Sequence, residues 1–264
     1  MPPFIIEADE LHQFMQNGQV LLVDLSKREC YLQHHLASAI HVAPSELVIG
    51  TSPAVGKLPL IQQLEALFSR MAYTKNIHIV AYDDEGGGWA GRFLWTLDVI
   101  GHTQMSYLNG GIHAWLEANL PTTDKVDDVT PCAVSLSIDN KFIASQDDVL
   151  ASLNDSDTVI WDARSPEEHI GTKAFSARPG RIPNSINLEW TSAMDSQLRI
   201  REDIADILKE LGITKDKKII THCQSHHRSG FTYMIGKSLG YDIRAYDGSW
   251  AEWGNDPNTP IETG

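Results

Sequence analysis

Long apolar runs are missing from this chain. No stretch approaches the roughly 18 apolar residues a membrane-spanning helix needs. The opening residues Met1-Pro2-Pro3-Phe4-Ile5-Ile6-Glu7 lack a basic region and a long apolar core, so the expectation is neither signal peptide nor membrane association. Basic residues are scarce: 21 Lys and Arg stand against 35 Asp and Glu, a net charge of −14. That balance argues against nucleic acid or an anionic membrane as the main partner. Cysteine is scarcer still. Cys30, Cys132 and Cys223 are widely spaced, odd in number and free of any Cys-x-x-Cys pair. A disulfide scaffold is thereby excluded, and free thiols in a reducing, cytoplasmic compartment are expected.

What the chain does have is an internal repeat. Val20–Ser26 resembles Thr158–Ser165, each a short apolar run closing on Asp24 or Asp162. Leu36–His41 resembles Ile182–Asn187, and Asn76–Asp83 resembles Lys218–Cys223. Leu108–Trp115 resembles Tyr246–Trp253. The order is the same in both halves at a spacing of roughly 140 residues, far longer than a solenoid repeat, so each copy is a domain. The polar segment 119–131, with a proline near each end, reads as the connection. The expected division is residues 1–123, a linker over 124–138, and 139–264.

Short apolar runs near 20–24, 77–82 and 104–108, and again near 158–162, 217–222 and 243–246, alternate with helical stripes. Examples are 60–68, the set Ile204, Ile207, Leu208 and Leu211, and the set Phe231, Met234, Ile235 and Leu239. Buried runs alternating with helices predict α/β domains, each a mainly parallel sheet with helices on both faces.

The second copy of the third repeat ends in chemistry. The run 217–222 closes at Cys223, followed by Gln224, Ser225, His226, His227, Arg228, Ser229 and Gly230 before a helical pattern begins. Such a loop can turn its backbone N–H groups on one point, with a helix N-terminus behind. A thiolate there is stabilised and its pKa falls. A buried, inert cysteine is the bland alternative, and the polar loop with two His and an Arg argues against it. A metal site built from His222, Cys223, His226 and His227 is a rival. No second cluster lies nearby, and His222 should face away from Cys223 across the strand. The two histidines of the loop either line a pocket or are simply solvated. A phosphatase-type loop would place five residues between Cys and Arg, and this loop places four. The smaller ring suits a single sulfur atom better than phosphate, which points to a persulfide.

With these motifs the chain resembles the tandem-domain rhodanese sulfurtransferases along nearly its whole length. The resemblance rests on the loop 222–230, on Gly180–Thr191 and on Gly248–Asn255. It is narrower with the Azotobacter-type bacterial members, whose loop reads Cys-Gln-x-His-His-Arg. The resemblance implies two rhodanese-like domains, only the C-terminal one catalytic. It implies a ping-pong reaction: Cys223 takes a sulfane sulfur from thiosulfate or a related donor and passes it to cyanide or another thiophile. It implies Gln224, Ser225, His226, His227, Arg228, Ser229 and Trp190 around the substrate, with Asp162 orienting a basic group and Arg164 either functional or structural. Whether Arg228 faces the substrate or only shapes the loop stays open. No cofactor or metal is implied, and a monomer is expected. The loop has neither the Arg-Lys of thiosulfate-preferring members nor the Gly-Ser-Gly of mercaptopyruvate-preferring ones. Mercaptopyruvate transfer, a persulfide carrier serving protein partners, an atypical phosphatase and a non-catalytic binding module are the alternatives. In the first domain Asp83 stands where Cys223 does, and a carboxylate forms no persulfide. That domain is expected to be inactive, its acidic loop repelling anions.

Overall fold

The structure is a computed structural model describing residues 2–264, with only the backbone of Asn17. The first half runs β1 (Ile5–Ile6), α1 (Ala8–Asn17), β2 (Val20–Asp24), α2 (Arg28–Gln33), β3 (Ile40–His41), α3 (Ile61–Arg70), β4 (His78–Tyr82), α4 (Gly88–Val99), β5 (Met105–Leu108) and α5 (Gly111–Glu117). The second half runs α6 (Gln146–Ser152), β6 (Thr158–Asp162), α7 (Pro166–Ile170), β7 (Ile186–Asn187), α8 (Ile204–Glu210), β8 (Lys218–His222), α9 (Arg228–Ser238), β9 (Asp242–Ala245) and α10 (Ser249–Trp253).

Two sheets result, ordered β1-β5-β4-β2-β3 and β7-β6-β8-β9, with every strand pair parallel. The central strands β2, β4, β6 and β8 are runs of Val, Ile, Leu and aromatics because helices cover both their faces. Their registers correspond: Asp24 lies beside Tyr82, and Asp162 beside His222. A parallel bridge of Ile143 to Ala245 stands where β1 pairs with β5. The two sheets repeat one α/β plan.

The residues between the halves run along the first sheet's helices. The N–H of Cys132 donates to Ser69 O, that of Leu136 to Glu65 Oε1, and that of Asp139 to Val99 O (2.7 Å). Cys30 and Cys132 are half-buried and unpaired.

Helices α4 and α9 follow β4 and β8, and both are buried nearly all round, as a helix apolar on every side must be. They pack on each other at Gly91 and Gly230. A Cβ at Gly230 would lie 2.5 Å from Arg92 N and 2.7 Å from Gly88 O, and backbone atoms cannot yield. Asp98 then accepts from Tyr233 Oη (2.8 Å) and pairs with Lys237 Nζ (2.7 Å) across the contact. One hydrophobic core, including Phe93, Leu97, Phe231 and Ile235, runs through both halves. This packing brings the loops 83–87 and 223–227, which precede the two helices, face to face.

Candidate active site

Strand alternation divides the end of β8. His222 turns toward β6, its Nε2 3.8 Å from Asp162 Oδ1, and is fully buried. Burial pushes the imidazole down to about 4, although the Asp162 carboxylate opposes this, so it is uncharged at neutral pH. Cys223 turns toward the N-terminus of α9 and is 1 % exposed. Burial alone would raise its thiol. The charge of Arg228, the Ser229 hydroxyl (3.4 Å from Sγ) and the N–H groups of Ser229 and Ser225 outweigh burial and bring the thiol below its ordinary value. The site therefore favours an anion on sulfur in a space that excludes water.

Ser249 pins the loop's backbone. Its Oγ accepts from the N–H of Cys223 (3.3 Å) and of His226 (3.1 Å), and donates to Tyr246 O (2.8 Å). The residue is held at a φ of +53°, a conformation strained for any residue with a Cβ. The N–H groups of Trp250 and Ala251 donate to the carbonyls of Cys223 (3.0 Å) and Gln224 (2.9 Å). With these carbonyls held outward, the N–H groups of Ser225 and Ser229 reach the sulfur.

Arg228, whose role toward the substrate or in shaping the loop the sequence leaves open, is committed to Glu168 by two parallel hydrogen bonds of 2.6 and 2.8 Å. Burial works against its charge, but Glu168 and Cys223 hold it on, raising its pKa further. It acts on the sulfur by charge while its donors serve the carboxylate. His226, expected either around the substrate or only shaping the loop, is fully buried, its Nδ1 2.8 Å from Ser229 Oγ and its ring edge-on to Trp95 of the first domain. Burial, Arg92 and His227 push it well below the usual imidazole value. It faces the domain interface because its φ of +54° turns it there.

The remaining residues are placed as follows. Ser229 contacts Sγ directly. Gln224 Nε2 donates to Ser176 Oγ (3.1 Å), and the backbone of Ser225 lies against Gly56 of the first domain. His227 stacks on Trp89 (4.5 Å between ring centres), tilts against Trp190 (5.5 Å) and pairs through Nε2 with Glu85. Asp162 is fully buried against Arg164 (2.7 Å) and His169 (2.9 Å). Burial opposes its charge, but the cation of Arg164 and the hydrogen bonds from His169 and Arg164 hold the carboxylate well below its usual range. Arg164 also donates to Gly180 O (2.9 Å) and lies over Trp250, so it fastens the loop at 180 to the sheet.

Sequence reasoning missed Glu168, Ser249, Ser176 and a set of first-domain groups. Among the latter, Arg92 is fully buried and donates to the carbonyls of Leu47 and Gly56 (2.7 Å each). Lys57 pairs with Glu252 (2.6 Å), and the N–H of Leu58 donates to Asp247 (2.8 Å). The segment 47–58 is thus strapped across the second domain's loops. The Ser-x-x-Glu spacing of Ser165 and Glu168 signalled only a helix cap.

The loop of Asp83 carries a further surprise. Its carboxylate is buried and accepts from the N–H groups of Glu85 (3.2 Å), Gly87 (2.8 Å) and Ala90 (3.0 Å). The ring of donors is filled by the chain's own carboxylate. Burial, and then the charge of Glu85, raise Asp83 to about 6 despite those donors.

With this geometry in hand, the comparisons agree on the family. The family described as Rhodanese-like domain matches residues 7–118 and 145–256. The chain is 48 % identical over 263 residues to a thiosulfate sulfurtransferase of Azotobacter vinelandii, covering 98 % of this chain and 97 % of the relative. It is 45 % identical over 263 residues to one of Pseudomonas aeruginosa, with the same coverage. A sulfur carrier protein, TtuD of Thermus thermophilus, is 31 % identical over 219 residues, 77 % of each chain. Among solved structures, the anaerobic ergothioneine biosynthesis enzyme of Chlorobium limicola shares the fold. The TM-score is 0.88 at 23 % identity, over 99 % of this chain and 70 % of that one.

Proposed function

The chain belongs to the rhodanese family of sulfurtransferases, and from that premise we propose that Cys223 is its nucleophile and residues 139–264 its catalytic domain. It is a thiosulfate sulfurtransferase, with a small-molecule sulfur donor and acceptor. In the proposed mechanism the Cys223 thiolate attacks the sulfane sulfur of thiosulfate. An S–S bond forms on Sγ, the S–S bond of thiosulfate breaks, and its electron pair leaves with sulfite. The terminal sulfur of the persulfide now carries the negative charge. Ser225 N–H, Ser229 N–H and the Ser229 hydroxyl stabilise it as they do the thiolate. Cyanide then attacks that sulfur, thiocyanate leaves, and the thiolate is regenerated. No cofactor enters.

The observation that carries this reading is the buried thiol brought below its ordinary value by converging donors. Arg228 would balance charge, and Gln224, Ser225, His227 and Trp190 would border the approach. Residues 1–123 would serve as a non-catalytic partner domain joined through 124–138. We further propose a cytoplasmic monomer. No helix among the described residues is long and apolar enough to cross a membrane. A second reading, persulfide delivery to a protein acceptor, draws support from the Thermus relative's description as a sulfur carrier.

The test is intact mass after thiosulfate treatment. A gain of about 32 Da, one sulfur, on the wild type and none on Cys223→Ser is expected, with cyanide removing it as thiocyanate. Gain on both proteins, or on neither with any sulfane donor, overturns the assignment. Release of the sulfur only to a protein acceptor selects the second reading.

A further inference from the structure

The first domain reaches into the proposed site through one side chain. Glu85 lies two residues after Asp83, and its carboxylate pairs with His227 Nε2 of the catalytic loop. The approach is built into the chain by Gly86-Gly87-Gly88. A Cβ at Gly88 would lie 2.5 Å from His227 Nε2 and 2.8 Å from Glu85 Oε1. One at Gly87 would lie 2.8 Å from the Phe231 ring and from Tyr107 Oη. Glycine at these positions leaves the room in which the second domain's loop seats against the carboxylate.

The other basic groups at this loop are already committed. Arg228 is neutralised by Glu168 of its own domain. His222 and His226 are fully buried, and both are pushed down by that burial. Arg92 is buried and bonded to two carbonyls of the first domain, with Asp247 chief among the charges that favour its protonated form. His227, its side chain 23 % exposed between Trp89 and Trp190, is the basic group of this loop whose counter-charge comes from the other domain. Two further carboxylates precede Glu85 in its own loop. Asp83 is buried behind Glu85, and Asp84 accepts from Lys27 N.

We propose that Glu85, from the domain without the cysteine, sets the donor-charge selectivity of Cys223. Its carboxylate takes the Nε2 of His227 and places a negative charge at the loop, which disfavours dianionic sulfur donors relative to monoanionic ones. Glu85 is a specificity and positioning residue that acts through His227 and through its own field. The inference rests on the reading of Cys223 as the sulfur acceptor.

The experiment compares kcat/KM for thiosulfate, a dianion, with that for benzenethiosulfonate, a monoanion, with cyanide as acceptor. The proteins are wild type, Glu85→Gln and Glu85→Asp. The Gln variant removes one charge at constant volume, and the thiosulfate-to-benzenethiosulfonate ratio should rise about three- to ten-fold. The rise should come mainly through KM for thiosulfate and shrink at high salt. Glu85→Asp keeps the charge and should hold the wild-type ratio. An unchanged ratio in Glu85→Gln, or an equal change in both variants, overturns the proposal. Failure of the wild type to gain sulfur from any sulfane donor would instead sink the underlying assignment of Cys223.

Discussion

The loops of Asp83 and Cys223 are two solutions to one geometric problem. Each follows a buried central strand, each precedes a buried helix, and each turns backbone N–H groups toward the first residue of the loop. In the first domain that residue supplies a carboxylate, whose oxygens take three N–H groups. In the second it supplies a single sulfur, helped by the hydroxyl of Ser229 and the charge of Arg228. The surroundings differ in the same sense. By position in the loop, Arg228 and Ser229 correspond to Gly88 and Trp89, so the first domain offers neither charge nor hydroxyl. Ser249, which holds two N–H groups of the Cys223 loop, corresponds to Gly111, where a Cβ would strike Asp83 O. A cradle for an anion is thus a property of the fold, while reactivity depends on which atom fills it and what balances its charge.

The most severe way to break this comparison is to move the cysteine. Asp83→Cys in a Cys223→Ser background should gain no sulfur from thiosulfate and alkylate slowly. Its thiol would be buried beside Glu85, without a counterpart of Arg228, and both effects raise a thiol pKa. Sulfur loading of this double variant in intact-mass spectra would show that the cradle alone suffices.

A smaller effect sharpens the role of charge. Arg228→Met should raise the pKa of Cys223, since the charge that chiefly lowers it is gone, read from the pH dependence of iodoacetamide alkylation. Glu168 would be left as an uncompensated, nearly buried carboxylate, so stability should fall by about 3 kcal/mol in urea unfolding. Glu168→Gln combined with Arg228→Met should recover much of that stability and none of the thiol shift. An unmoved alkylation profile would remove Arg228 from the electrostatic account.

The smallest effect concerns the filled cradle itself. Asp83 is raised to about 6 from 3.8 by burial and Glu85. The folded state therefore binds its proton more tightly than the unfolded chain. The resulting stability is fully present below about pH 3.8 and is lost as pH rises through 6. Asp162 and Glu168 act in the opposite sense, because their folded values are lowered and their contributions are lost on acidification. The comparison with Asp83→Asn isolates the first effect. The Tm of the variant relative to wild type should climb between pH 4 and 7, by a few degrees. A flat difference would mean that the three N–H groups balance burial and Glu85, and a falling one that they outweigh them.

Much of this was legible in the chain. The central strands were readable because a strand covered on both faces must be apolar throughout, and the four central runs lie where the apolar stretches predicted. The two-fold plan was readable because each repeat kept its apolar run and its terminal Asp in order. The cysteine loop was readable because polar residues after a buried strand end have few structural reasons to be there. Neither the pairing of Arg228 with Glu168 nor the burial of His226 could be read. Both depend on where a side chain sixty residues away, or on another domain, comes to rest.

The sequence by itself determined the α/β class, the repeat, the position of the thiol and the replacement of a thiol by a carboxylate at Asp83, since these are properties of local pattern and residue identity. Only the tertiary structure decided that α4 and α9 meet through Gly91 and Gly230. The same packing set Glu85 against His227 and filled the first cradle with its own carboxylate. Those contacts arise from packing two copies of one fold against each other, and packing joins residues whose separation in the chain carries no local signal.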